Sequence, residues 1–376
     1  MKNKTLKKVF MLMTTMAVAT GCIAGCGSTA NESASNEEVV SEGEDADAET
    51  SDDAADEENE YSDTITLVWY PNESAENFSE AREEVGRLIE QATGKKVEQK
   101  LTTDYAIAIE SVANGTAQIG CVWGAEGYIQ AKNSNDAVNV LFVNSGDSGT
   151  LDDAMYYSFF AVKEADAAEY QDGDTYAIDN IVGKKMSFVS NSSTSGFKVP
   201  TNTIISYFGA QSDWEGLTVD DLLEGGDDQF FSEVLFGGSH QGSAYNLLAG
   251  NADVAAFCDT ELAAYAECVE GEDAQVGSVY QILDNAEAPF DAVAGDRYTI
   301  IGSKPVMNGP FVYNADAISP EDVQAIQELF TSDEVANNEI LFYPADSEKT
   351  GMYKKSGDNR FVLVEDSWYD PIRNMQ

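Results

Sequence analysis

Residues 182–200 read VGKKMSFVSNSSTSGFKVP. The run MSFVS, apolar and partly β-branched, has the pattern of a buried strand, and GFKVPTNTIISYFG after it has the pattern of a helix. The hydroxyl-rich turn SSTSG joins them, with the helix expected to begin near Gly196 or Phe197. A helix start presents backbone N–H groups that have no intrahelical acceptor, together with the positive end of the peptide dipoles. Ser193, Thr194 and Ser195 add hydroxyl donors, and Gly196 would let a ligand approach the backbone closely. Such a turn suits a tetrahedral oxyanion. About forty residues on, FGGSHQG repeats the device. Ser239 and His240, the only histidine, stand at the start of the helix QGSAYNLLAG. An imidazole there would donate one N–H, and its ordinary pKa would make that donation titratable near neutral pH.

Outward from these two turns, strand and helix patterns alternate. TITLVWY (64–70), KKVEQKL, AQIGCVW, AVNVLFV and YYSFFAV read as strands. AENFSEAREEVGRLIEQATG places Phe78, Val85, Leu88 and Ile89 on one helical stripe and stops at Gly94, and DYAIAIESVANG is a second helix. The alternation predicts an α/β layer architecture with largely parallel sheets. SVANGTAQIGCVW and NLLAGNADVAAFCD share one pattern: a helix end, a turn, then a buried strand followed by a new helix. Ligands in open α/β sheets sit beyond the carboxyl ends of the strands. Two such edges predict two lobes facing each other across a cleft.

The amino end is of another kind. Lys2, Lys4, Lys7 and Lys8 precede the apolar stretch VFMLMTTMAVATGCIAGC, which reads as a signal peptide over residues 1–25. IAGC, ending at Cys26, has the form of a lipobox, a better one than ATGC ending at Cys22, so Cys26 is the expected lipidation site. From Glu37 to Glu60 there are thirteen acidic residues and no Lys, Arg or aromatic. Residues 26–60 therefore read as an extended, disordered tether. The chain carries a net charge of −46. The first 60 residues hold 14 acidic and 4 basic side chains, so the body, with 53 acidic and 17 basic, stays near −36. That charge excludes nucleic-acid binding through a phosphate-neutralising surface. It also leaves the lipid as the sole membrane attachment. Cys121, Cys258 and Cys268 have neither zinc-site nor disulfide-framework spacing, and each reads as a small buried side chain, with a Cys258–Cys268 bridge the lesser option.

The segments TDYAIAIESVANGTAQIGCVWG (103–124), VGKKMSFVSNSSTSGFKVP (182–200), FGGSHQGSAYNLLAGNADVAAFCDTEL (236–262), GSKPVMNGPFVY (302–313) and WYDPIRNM (368–375) together resemble the phosphonate-binding proteins of ABC transporters, a branch of the type II periplasmic binding proteins. The resemblance follows family order and covers nearly all of residues 61 to 376. It implies two lobes, each a mostly parallel sheet flanked by helices, with the chain crossing near Tyr157 to Val162 and near Ile300 to Val312. Lobe 1 would combine 61–158 with 303–376, and lobe 2 would be 159–302. It further implies an extracytoplasmic, membrane-anchored monomer without a cofactor, which hands a small phosphorus oxyanion (phosphonate, phosphite or phosphate) to an ABC transporter permease. Tyr105 and Trp123, with Tyr128 nearby, would form the lobe 1 wall. Glu261, with Asp259 beside it, occupies one place where relatives that bind aminophosphonates hold the ammonium group. At the second such place, Asn308 and Gly309 stand where those relatives carry an aspartate, which weakens the case for an amino-bearing ligand.

Neutral, preorganised donors explain how so acidic a body would hold an anion without Lys or Arg, at the cost of a slower, salt-sensitive approach. Two other readings start from the same residues. A serine hydrolase would need Ser193 or Ser195, His240 and an Asp as spatial neighbours, but the chain has no GxSxG elbow. The same two-lobed fold also serves as the ligand-presenting partner of membrane sensor kinases.

Overall fold

The computed structural model describes residues 61–74, 76–344 and 351–375. The signal peptide, Cys22, Cys26 and the acidic tether lie outside the described residues. Two sheets organise the body. The first has six strands in the order Phe361–Val362, Val138–Asn144, Pro310–Asn314, Ile119–Cys121, Thr64–Trp69, Lys96–Leu101. The second has seven, in the order Ala266–Glu270, Val279–Ile282, Arg297–Met307, Met155–Lys163, Val254–Cys258, Lys185–Phe188, Glu233–Phe236.

The central strands of both sheets are buried on both faces, which is why they read as near-continuous apolar runs, while edge strands such as Lys96–Leu101 and Ala266–Glu270 are mostly exposed. In the first strand Ile65, Leu67 and Trp69 enter one core while Val68 and Tyr70 enter another on the opposite face. In Met155–Lys163, Phe160 and Val162 face one core of the second sheet, and Phe159 and Ala161 face the other. The period-two alternation of side chains along a strand produces this sorting. Helix Ser79–Thr93 buries Val85, Leu88 and Ile89, and it ends where Gly94 takes a left-handed conformation at φ 70° and donates its N–H to Glu90.

The sheets are mixed, which corrects the expectation of mostly parallel ones. Parallel pairing is confined to a three-strand group in each sheet: Lys96–Leu101, Thr64–Trp69 and Ile119–Cys121 in the first, and Val254–Cys258, Lys185–Phe188 and Glu233–Phe236 in the second. All other pairs within these two sheets are antiparallel. The cause is the path of the chain. Met155–Lys163 runs into the second sheet and Arg297–Met307 runs back, so they pair antiparallel from Lys163 opposite Tyr298 to Met155 opposite Met307. The returning chain then enters the first sheet as Pro310–Asn314, against the direction of Ile119–Cys121 and Val138–Asn144. Residues 157–162 lie on this ribbon, and 300–312 lie on it and on the strand that follows. Cys121 and Cys258 are buried, Cys268 is partly exposed, and no disulfide joins the three. Among the described residues no helix is long and apolar enough to cross a membrane.

Candidate functional site

A cavity of about 580 Å³ lies where the carboxyl ends of strands from the two sheets meet. Its floor is built by the two turns singled out in the sequence. Ser193 caps a helix that begins at Thr194, two residues before the expected start: its Oγ accepts the Gly196 N–H at 3.1 Å. The first turn is wide, with the Lys198 N–H reaching the Ser193 carbonyl at 3.0 Å and the Val199 N–H reaching that of Thr194, before the regular helix Val199–Phe208. Such i→i+5 turns recur at functional sites. Ser193, Thr194 and Ser195 are buried and line the cavity.

His240, also buried and lining, opens helix His240–Leu248. Its Nδ1 accepts the Cys258 backbone N–H at 3.0 Å, so Nε2 carries the proton, 3.5 Å from Ser193 Oγ. Burial pushes the imidazole pKa down to about 3, because an imidazolium there would be stripped of water. This corrects the expectation of a donation titratable near neutral pH: His240 is a neutral donor across that range. It also opposes a hydrolytic triad, since a ring whose Nδ1 faces a backbone donor presents N–H, not a lone pair, towards Ser193.

The opposite wall is aromatic. Tyr105, Tyr70 and Trp123 form a run, with ring centroids 4.2 Å apart for the first pair and 5.2 Å for the second, the latter almost parallel at 7°. Trp123 follows Val122, whose φ of 53° is unusual for a β-branched residue. The Trp123 N–H bonds the Pro310 carbonyl at 2.9 Å. A Cβ at Gly309 would stand 1.7 Å from the Trp123 carbonyl oxygen. A side chain, carboxylate or other, has no room at position 309 here.

Among the described residues, hydrogen bonds run from one sheet's elements to the other's. The Glu126 N–H, at the start of helix Ala125–Ser134, donates to Thr194 Oγ1 at 2.8 Å. The His240 N–H donates to Asn72 Oδ1 at 3.1 Å, while Asn72 Nδ2 donates to the Tyr105 hydroxyl at 2.7 Å. Ser192 Oγ bonds Gln130 Oε1 at 2.8 Å. The acidic corner holds Glu261, whose backbone carbonyl accepts from Gln241 at 3.1 Å, and Asp259. Asp259 accepts the Tyr157 and Thr260 N–H groups at 2.9 and 2.8 Å, yet burial outweighs these bonds and pushes its pKa up to about 6.

Seven of the ten expected ligand residues thus meet at one cavity: Tyr105, Trp123, Ser193, Thr194, Ser195, His240 and Glu261. Three do not line it. Tyr128 is fully buried, its hydroxyl bonded to Asp366 at 2.6 Å and its ring packed on Tyr369, so it belongs to the core. Ser239 spends its Oγ on the Gly242 N–H at 3.0 Å, as a cap. At Gly196 an added Cβ would meet the Val189 side chain at 2.2 Å, so glycine serves packing against its own strand rather than ligand approach. Tyr70, Asn72 and Tyr156 line the cavity and were not anticipated. Tyr70 and Asn72 stand just past the carboxyl end of Thr64–Trp69, so the strand-end rule that selected Trp123 would have found them.

Two sheets joined by an antiparallel ribbon, with a donor-lined cavity between their strand ends, define a bilobed solute-binding protein. The chain belongs to the family described as ABC transporter, phosphonate, periplasmic substrate-binding protein, whose model matches residues 67–369. It is 24% identical over 321 residues to the phosphate-import protein PhnD of Mycolicibacterium smegmatis (strain ATCC 700084 / mc(2)155), covering 84% of this chain and 85% of that protein. Two solved structures share the fold. The binding protein component of an ABC phosphonate transporter from Pseudomonas aeruginosa has a TM-score of 0.55 and 16% identity, over 83% of this chain and 85% of that one. PhnD1 from Prochlorococcus marinus (MIT 9301), in complex with methylphosphonate, has a TM-score of 0.55 and 12% identity, over 83% and 97%.

Proposed function

We propose that this protein captures a phosphorus oxyanion (phosphonate, phosphite or phosphate) outside the cytoplasm and delivers it to an ABC transporter permease. The observation that carries this reading is the floor of the cavity. Two helix starts, three buried hydroxyls and the Nε2–H of a neutral His240 converge there. Donors fixed in place favour an oxyanion without a neutralising Lys or Arg. Residues 61–158 with 303–376 form one lobe and 159–302 the other. Closure about the ribbon of Met155–Lys163 and Arg297–Met307 brings Tyr105 and Trp123 over the ligand's substituent. The protein works as a monomer held by a lipid on Cys26, with residues 26–60 as spacer.

Calorimetric titration with phosphate, phosphite, methylphosphonate and 2-aminoethylphosphonate, after unfolding and refolding to strip carried ligand, tests the reading. At least one binds tightly, and His240→Ala weakens it about tenfold or more, the scale of a hydrogen bond to a charged group. The absence of heat with all four would overturn the ligand class, and unchanged affinity in both His240→Ala and Ser195→Ala would overturn the site.

A further inference from the structure

The cavity is much larger than an inorganic oxyanion needs. A volume of about 580 Å³ falls in the range that encloses organic ligands of roughly 300–1,000 Å³ sites. Its shape follows from the strand order. The donor floor faces the ends of Thr64–Trp69 and Ile119–Cys121, through the Asn72–His240 and Thr194–Glu126 contacts. The lining continues past Gly309 to Asn144 and Ser145, at the end of Val138–Asn144, and to Asn359, just before Phe361–Val362. Those strands stand two and three places along the sheet from Ile119–Cys121. At about 4.8 Å per place, the far end lies roughly 10–14 Å from Trp123.

The chemistry of that far end is specific. Asn144 lines it, and its Oδ1 is buried with no hydrogen-bond donor among the described residues. Asp147 and Asp153 add carboxylate acceptors, while Tyr343 and Tyr353 supply apolar ring surface. A buried acceptor without a donor is costly unless a ligand supplies one. Acceptors beside aromatic faces fit a ring that carries hydroxyl groups.

We infer that the ligand is a phosphorus oxyanion bearing a hydroxylated organic group, of the size of a pentose, whose hydroxyls reach Asn144. This rests on the proposed oxyanion site, since it takes Ser193–Ser195 and His240 as the place of the head group. The test is titration of the purified whole protein with methylphosphonate, butylphosphonate and ribose 5-phosphate. The expected result is that ribose 5-phosphate binds at least tenfold more tightly than the other two, and that Asn144→Leu removes this advantage while leaving methylphosphonate unchanged. Methylphosphonate binding as tightly as both longer ligands overturns the inference and leaves the oxyanion reading intact. Butylphosphonate exceeding ribose 5-phosphate overturns the assignment of hydroxyls, and an advantage that survives Asn144→Leu overturns the role of Asn144. No binding by any of the three overturns the inference, and phosphate titrated alongside shows whether the head-group site stands. Should Asn144→Leu not fold, the ranking on the unaltered protein still decides.

Discussion

At the scale of the residue, two groups in the cavity, buried His240 and half-buried Asp259, pull stability in opposite directions with pH. His240 titrates near 6.5 in an unfolded chain and about 3 in the folded one. Between those values the unfolded state binds more protons, so stability is full above 6.5 and is lost as pH falls, by up to about 1.4 kcal/mol per pH unit. Asp259 is displaced the other way, from 3.8 to about 6. Between those values the folded state binds more protons, so acidification restores stability that the buried carboxylate had cost. Asp259→Asn removes the second effect alone. Its stability in urea should therefore fall more steeply than that of the unaltered protein from pH 7 to 5, by about 1 kcal/mol in all. Parallel curves would mean that Asp259 is ionised throughout.

At the scale of the element, a helix start in one sheet's layer is completed by a side chain from the other's. Helix Ala125–Ser134 begins after Gly124, which has no side chain to cap it, and Thr194 Oγ1 takes the Glu126 N–H in its place. A Cβ at Gly124 would stand 2.6 Å from that same oxygen, so glycine is what lets the two elements approach. Thr194→Val keeps the shape and deletes the acceptor. The expected cost is about 1 kcal/mol, as for loss of an N-cap. It should be read as roughly fivefold faster hydrogen exchange at the Glu126 amide, with amides in the first strand unaffected. Equal protection in both proteins would show that the contact contributes nothing to closure.

At the scale of the whole molecule, the net charge of −46 acts against an anionic ligand until short-range donors take over. Of the described residues lining the cavity, Lys354 alone is basic, against Asp147, Asp153, Asp259 and Glu261. The long-range repulsion is screened as the Debye length shrinks from about 30 Å at 0.01 M salt to about 8 Å at 0.15 M. The association rate for methylphosphonate, measured by stopped flow, should thus rise about threefold over that range, with little change in the dissociation rate. A rate that falls with salt would require a local positive field strong enough to overcome the global charge.

Much of this protein is legible in its sequence. The alternation of strands and helices, the stop at Gly94 and the donor turns at Ser193 and Ser239–His240 are local features. Side-chain period, left-handed glycine and orphan N–H groups depend on a few neighbouring residues, so the sequence alone determined them. Other properties depend on residues far apart in the chain, and only the tertiary structure decided them. The antiparallel pairs arise from the return of Arg297–Met307 beside Met155–Lys163. The neutrality of His240 arises from burial, and the Cys258 N–H fixes its proton on Nε2, neither of which any spacing reveals. Tyr128 is expected beside Trp123 in the lobe 1 wall, but its hydroxyl is held by Asp366, 238 residues away. The reach of the cavity to Asn144 follows from strand order, a relation among segments that the linear pattern does not contain.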